Sequence, residues 1–303
     1  MKPRIVFAGT PAFGATVLRG ALDAGWEVPL VVTRPDRPAG RGGKNTPSAV
    51  TRLAQEQSLP IAKPPQAKDI LPQIKDAAPD VLIVASYGEI LPPEVLTAPK
   101  SGSVNIHASL LPKYRGASPI QQVLLDGESQ TGVTLMQMDE GLDTGPIIAF
   151  ARQPIAAADT AGSLSEKLAA LGARLLVETL PRFLAGEVAA RPQDESQATM
   201  TRVLKKSDGR IDWTQPAEHL ERFVRAMQPW PTAWTTIGDD SVQVLESSPA
   251  EANLKPGAFN PKGPLVVGTG SGALRVGKLR LAGKGPVDGA SFLRGYRGEP
   301  KFG

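Results

Sequence analysis

Cysteine is absent from this sequence, which removes disulfides, thiolate zinc sites and cysteine nucleophiles together. Histidine occurs only twice, as His107 and His219, and that scarcity argues against an imidazole-built metal centre. No stretch approaches the roughly 20 consecutive apolar residues that span a bilayer. The apolar run near the start, RIVFAG, stops at Gly9, too short for the core of a secretory leader. Two nucleotide signatures are also missing. The first strand ends in FAGTPAFG without the three-glycine spacing of a dinucleotide fingerprint, and PAGRGGKNTP carries Pro38 and Asn45 where a triphosphate loop needs glycine and serine or threonine. No serine or cysteine sits in a nucleophile elbow. These absences lead to the expectation of a cytoplasmic protein with no metal, no membrane segment and no covalent nucleophile.

What is present is an ordinary globular composition, 41% hydrophobic and 21% charged, on a chain long enough for two domains. The charge is uneven: residues 201–303 hold fifteen Lys/Arg against ten Asp/Glu, whereas residues 1–200 sum to −1. A basic C-terminal third is either a solvated surface or one that steers a polyanion. Apolar runs at 4–9, 27–34, 79–88 and 102–109 have the pattern of strands covered on both faces, and helix-length segments at 47–58, 67–77 and 117–126 lie between them. That alternation predicts a largely parallel, Rossmann-like α/β domain. A long amphipathic helix follows at 163–184, after which apolar periodicity disappears in a polar tract. Beyond it, one helix near 216–227 and several short strands at turn-signal spacing predict a smaller OB-like β-barrel. The expected organisation is a Rossmann-like catalytic domain over 1–185, a linker over 186–208 and an OB-like domain over 209–303.

The chemistry concentrates in SVNIHASLLPKYRGASPI. Side chains two apart on a strand share a face, so Asn105 and His107 project together. They do so at the strand's carboxyl end, where open α/β sheets place their active sites. An amide donor beside an imidazole can stabilise an oxyanion and handle a proton, a combination suited to acyl transfer. Further on, DEGLDTGP presents Asp143 in a glycine-flanked turn, a carboxylate able to orient His107. Without a nucleophilic side chain, the reading is direct transfer to an external nucleophile. A second stretch, TRPDRPAGRGGK, sets Arg34, Arg37, Arg41 and Lys44 on backbone that proline and glycine keep out of helix. A solvated loop and a finger for nucleic-acid backbone both fit it.

The Asn105-x-His107 pair, SLLPKYRGASPI and GLDTGP together resemble the 10-formyltetrahydrofolate-dependent formyltransferases. FAGTP, RPDRPAGRG and DGRIDW…AMQPWPTAW extend the resemblance over essentially the whole chain, toward the branch that formylates methionine carried by initiator tRNA. The resemblance implies catalytic roles for Asn105, His107 and Asp143. It implies folate binding by Ser109, Leu110, Leu111 and Pro112 and by the loop with Tyr87, Gly88, Ile90 and Leu91. Arg37, Arg41, Lys44, Lys205 and Lys206 become the candidate tRNA contacts, with Gly43 standing where many members carry lysine. The implied formyl donor is 10-formyltetrahydrofolate as co-substrate, the acceptor is initiator methionyl-tRNA, and the expected state is a monomer. Ala108 stands where sugar and glycinamide relatives usually have proline, a vote for the tRNA branch. Phe13 is open between a methionine pocket and plain core. Three rivals stay open: a sugar-nucleotide amine formyltransferase, a formylfolate hydrolase using water, and a noncatalytic RNA-binding protein using the basic barrel alone.

Overall fold

The computed structural model describes residues 2–39 and 44–303. The chain divides into two compact units, one of Met1–Pro119, Gln130–Pro154 and Ser165–Thr201, the other of Ile120–Ser129, Ile155–Leu164 and Arg202–Gly303. In the first, strands β1 (Arg4–Gly9), β2 (Glu27–Val32), β5 (Ile61–Ala62), β6 (Val81–Ala85), β7 (Ser103–His107), β9 (Gln130–Gln137) and β10 (Ile147–Pro154) form one sheet. Its order is β10-β9-β7-β6-β1-β2-β5. The five strands from β7 to β5 are parallel, and β9 and β10 each add antiparallel to their neighbour. A separate hairpin pairs β3 (Arg37–Ala39) with β4 (Lys44–Thr46), and a two-stranded parallel pair joins β8 (Arg115–Gly116) to β11 (Met200–Thr201).

Burial explains why the central segments are strands. All five residues of β6, VLIVA, are buried, so both faces must meet apolar cover, and β-branched side chains suit that pleated setting. On one face Val6, Ala8, Leu82 and Val84 pack with Ile70, Ile74, Val95 and Leu96. These last four come from a 3₁₀ turn at Ala67–Ile70 and from α3 (Leu71–Ala77) and α4 (Pro93–Leu96). Helix α1 (Ala12–Asp23) buries Phe13, Val17, Leu18 and Ala21, and α2 (Ala49–Glu56) starts where the Ser48 hydroxyl accepts the Thr51 N–H at 3.0 Å. After α5 (Pro119–Leu125), the long helix α6 (Ala161–Leu184) presents Leu168, Gly172, Leu176 and Leu180 at four-residue spacing. Gly172 is the close-approach point of that stripe, since a Cβ there would lie 2.8 Å from the Ile106 side chain of β7.

The second unit contains a five-stranded antiparallel sheet, β12 (Ala233–Ile237), β13 (Asp240–Ala250), β15 (Ala273–Leu281) and β14 (Val266–Gly268) in that order, with β16 (Val287–Asp288) also on β15. Helix α7 (Ala217–Ala226) buries Leu220 and Val224, and α8 (Gly289–Gly295) buries Phe292 and Leu293. An aromatic cluster closes this core: Phe302 stacks on Trp213 at 5.7 Å between ring centroids and meets Phe259 at 4.9 Å. The architecture is the expected Rossmann-like α/β domain and, where an OB-like barrel was expected, a smaller domain built on a five-stranded antiparallel sheet. The polar tract expected as linker is more structured than its composition suggests, because β11 and the residues before it belong to the first unit.

Ile83 sits at the centre of the β6 run with no exposed surface. Ile83→Ala is expected to cost about 2–5 kcal/mol by lost burial and residual cavity, read as a lower urea midpoint of the first unit.

Candidate active site

Strand β7 ends at the carboxyl edge of the parallel sheet and carries Asn105 and His107 on one face. Asn105 is in register with Val84 of β6 and Met136 of β9, and His107 with Thr134. The turn between β9 and β10 brings Asp143 to them. Its Oδ1 accepts from Asn105 Nδ2 at 3.3 Å, its Oδ2 accepts the Gly116 N–H at 2.8 Å, and the same Oδ2 lies 3.6 Å from His107 Nδ1. His107 is 5% exposed, and its Nε2 is 2.9 Å from the Tyr114 carbonyl oxygen. A carbonyl only accepts, so the hydrogen is assigned to Nε2 and Nδ1 is the ring atom that faces Asp143. Asp143 and Tyr114 have φ of 55° and 62°. That left-handed backbone costs about 1–2 kcal/mol for a residue with a Cβ, and a bulky tyrosine there signals a turn imposed by its surroundings.

The loop after β7 is tied down by its own hydroxyls. Thr134 Oγ1 donates to the Ser109 carbonyl at 2.7 Å and accepts the Leu111 N–H at 3.1 Å, while Ser109 Oγ donates to the Lys113 carbonyl at 2.7 Å. Ser109 is fully buried and Leu111 nearly so, and Leu110 and Pro112 are partly open. In the loop after β6, Tyr87 is 2% exposed, its hydroxyl has no hydrogen-bond partner among the described residues, and burial raises its pKa to about 12, which keeps the phenol neutral. Thr10 Oγ1, from the turn after β1, donates to the Tyr87 carbonyl at 3.0 Å. Leu91 is buried, Gly88 adopts φ of 85°, and Ile90 stands 85% exposed. Phe13 is in the core at 6%. Arg37 and Lys44 lie on the β3–β4 hairpin, and Arg41 lies outside the described residues. Lys205 and Lys206 are exposed in the second unit, beside a 3₁₀ turn whose Asp208 accepts the Lys205 N–H at 2.6 Å.

Sequence reasoning missed a set of residues from the polar tract. The Thr199 hydroxyl accepts the Tyr114 N–H at 2.8 Å and the Thr199 carbonyl accepts the Arg115 N–H at 2.8 Å. Thr201 Oγ1 donates to the Arg115 carbonyl at 3.0 Å and accepts the Ser118 N–H at 3.1 Å. Gly116 adopts φ of 102° under Thr201, whose carbonyl oxygen occupies the place a Cβ would need. Arg115 is 4% exposed; it pairs bidentately with Glu195 at 2.7 and 2.9 Å and donates to Gln193 Oε1 at 2.8 and 3.1 Å. Gln193 Nε2 in turn donates to the carbonyls of Asp143 at 2.8 Å and Gly145 at 2.7 Å. The available signal was the arginine of YRG: a buried guanidinium needs acceptors, and an acid-bearing segment elsewhere must supply them. Among the described residues, no group of three or more His, Asp or Glu side chains is placed to hold a metal ion. No described helix is long and apolar enough to cross a membrane.

A carboxylate shared by an amide and an imidazole at the carboxyl edge of a Rossmann-like sheet defines an α/β group-transfer site. Family models give the class its name. Residues 3–180 match the formyl transferase model and residues 203–297 match the formyl transferase C-terminal domain model. The chain belongs to the formyl transferase family. Among its relatives, the methionyl-tRNA formyltransferase of Pseudomonas paraeruginosa is 45% identical over 298 residues, covering 97% of this chain and 96% of that one. That of Nitrosospira multiformis is 45% identical over 304 residues, covering 98% and 97%. Among solved structures, HypX from Aquifex aeolicus in complex with tetrahydrofolic acid aligns with a TM-score of 0.69 at 19% identity, covering 97% of this chain and 47% of HypX. An N-formyltransferase from Helicobacter canadensis, in complex with folinic acid and dTDP-3-aminofucose, aligns with a TM-score of 0.67 at 17% identity, covering 91% and 99%. At these identities the two structures bear on the fold alone.

The hydrogen bonds from Arg115 hold the Glu195 carboxyl below its ordinary value. A depressed folded-state value means that the pair's contribution is present above the ordinary glutamate range and is lost as pH falls through the lowered value. Wild type and Glu195→Gln are therefore expected to differ in unfolding midpoint near pH 7 and to converge as pH falls below the ordinary glutamate range, measured by urea titration against pH.

Proposed function

We infer that this chain transfers a formyl group from a folate donor to the α-amine of methionyl-tRNA. The observation that carries the reading is the Asp143 carboxylate held between Asn105 and His107 in a chain of this family. We propose that the donor is 10-formyltetrahydrofolate and the acceptor initiator methionyl-tRNA, used in the cytoplasm where initiator tRNA is charged. The exposed Ile90, followed by Pro92, gives an apolar wall for the donor's ring system. Gly88 lets the backbone come close, and the loop Ser109, Leu110, Leu111 and Pro112 borders the reacting end. Tyr87 and Leu91, being buried, contribute by holding that loop in shape.

In the proposed reaction the neutral amine attacks the formyl carbon, forming a C–N bond and a tetrahedral intermediate. The free N–H of the Asn105 amide, and His107 Nδ1 once it has taken the amine's proton, stabilise its oxyanion. The C–N10 bond then breaks, and the proton given up by the amine reaches N10 by way of His107 Nδ1 and Asp143. Asp143 keeps that nitrogen aimed at the reacting centre, while the Tyr114 carbonyl fixes the other. Much of the acceleration is positional, since holding donor and acceptor in reach turns a bimolecular attack into a unimolecular one.

Purified protein, labelled formylfolate, and charged initiator and elongator methionine tRNAs test the assignment directly. Formylation of the initiator species is expected; release of formate without an amine, or turnover with amino-sugar nucleotides in place of tRNA, would remove it. Asn105→Ala and His107→Ala are each expected to lower turnover by about 10²-fold or more, with folate binding retained. The basic residues Arg37, Arg41, Lys44, Lys205 and Lys206 are proposed to contact the tRNA backbone. Replacing Lys205 and Lys206 with glutamine is expected to weaken tRNA binding and lower its salt slope by about one unit per lost phosphate contact; an unchanged slope would clear both lysines of that role.

A further inference from the structure

We propose that Gln193 is a positioning residue for the transfer reaction, acting through one carboxamide that locks the two loops flanking His107 to each other. The inference rests on the reading of Asn105, His107 and Asp143 as the reacting groups, and it assigns to the polar tract after α6 a part in the chemistry.

Every hydrogen-bonding position of that carboxamide is occupied. Both N–H groups donate, one to the Asp143 carbonyl at 2.8 Å and one to the Gly145 carbonyl at 2.7 Å, so the backbone is gripped on each side of the Asp143 turn. The amide oxygen accepts twice from Arg115, at 2.8 and 3.1 Å. The arrangement fixes the amide's orientation: a flipped group would set oxygen against two carbonyls and N–H against a guanidinium. It also makes glutamine the required residue, because glutamate has no donors for the carbonyls and leucine has nothing for either side.

What is gripped matters for the proton path. Asp143 sits in left-handed backbone, and its side chain takes its two hydrogen bonds from Asn105 and the Gly116 N–H. Residues 114 and 116, on either side of Arg115, supply the Tyr114 carbonyl to His107 and the Gly116 N–H to Asp143. Gln193 thus joins the turn that carries the carboxylate to the loop that orients both the carboxylate and the imidazole. Displacing one against the other by about 1 Å is enough to cost about 10²-fold in rate, whereas the substrate-contacting surfaces of Ile90 and of residues 109–112 are held by other bonds, those of Thr10, Ser109 and Thr134.

The test compares Gln193→Glu, Gln193→Ala and a control, Ser196→Ala, whose hydroxyl donates to Asp194 nearby. Gln193→Glu retains an acceptor for Arg115 and loses both donors; the residue is only partly buried, so the second carboxylate oxygen turns from the two carbonyls toward solvent and the fold is retained while the grip is not. Expected for Gln193→Glu and Gln193→Ala is a fall in kcat of about 10²-fold with KM for each substrate within about threefold, an unfolding midpoint for Gln193→Glu close to wild type, and the control unchanged. Hydrogen exchange at the Gly116 amide, followed without any substrate, is expected to quicken in both Gln193 variants. Wild-type kcat in Gln193→Glu, or unaltered Gly116 exchange, would overturn the proposal. Quickened exchange in Gln193→Glu with a wild-type protein that formylates nothing would support the locking role and overturn instead the functional reading.

Discussion

The Asp143 carboxylate is the point on which the site converges. It accepts from Asn105 on β7, from the Gly116 N–H in the loop beyond, and lies 3.6 Å from the imidazole of His107. The parallel sheet alone explains two of these groups, because residues 105 and 107 share a face at its carboxyl edge. It does not explain the carboxylate, which hangs on a turn between antiparallel strands and stands in backbone that L-residues avoid. Such a residue stays in place only when its neighbours over-determine it. Here the neighbours are a loop with a second left-handed residue, Tyr114, and a polar segment that touches both.

The legibility of this architecture in the sequence follows the same division. The runs VLIVA and SVNIH announce themselves because strands buried on both faces must be continuously apolar, and their helices because four-residue stripes such as Leu168, Leu176 and Leu180 recur. Asn105 and His107 are legible as an alternating pair on such a strand. Asp143 is legible as a turn carboxylate able to orient His107, and the resemblance to known formyltransferases adds its catalytic role. The strands β8 and β11 have two residues each, and a pairing that short leaves no periodicity to detect. Thr199, Thr201 and Gln193 look like linker residues because they are polar; their partners are backbone groups 48 to 86 positions away, which composition does not record. Ser109 and Tyr87 are folate contacts by resemblance; in the structure the serine hydroxyl donates to the Lys113 carbonyl and the phenol is buried.

Charge separates two tasks along the chain. Residues 1–200 are close to neutral, at −1, although they contain the reacting groups, and the net positive charge comes from residue 201 onward. A near-neutral total leaves attraction for a polyanion to local basic groups, Arg37, Arg41 and Lys44 among them, and to the net positive charge that follows residue 201. Exposed lysines such as Lys205 and Lys206 fit that role, being strongly hydrated point charges that gain little from burial. Ionic strength screens exposed charges such as these, while the buried His107 and its partner are screened far less.

The buried Arg115 raises the question of what an ion pair contributes at such a place. Desolvating a guanidinium is expensive, and a pair with a partner as open to solvent as Glu195, 70% exposed, recovers part of that cost at best. Net stability is therefore a poor explanation for the arginine. Its geometry is a better one: five donors in a rigid plane can engage Glu195 and Gln193 at once, with the two carboxylate oxygens and the amide oxygen all within hydrogen-bond range. Apolar residues of similar volume would fill the space but would accept any register of the polar segment against the loop. The guanidinium accepts one, and in that register Gln193 meets the carbonyls of Asp143 and Gly145 and the Thr199 hydroxyl meets the Tyr114 N–H. The buried charge thus bonds across the same register in which Gln193 reaches the turn that carries the Asp143 carboxylate.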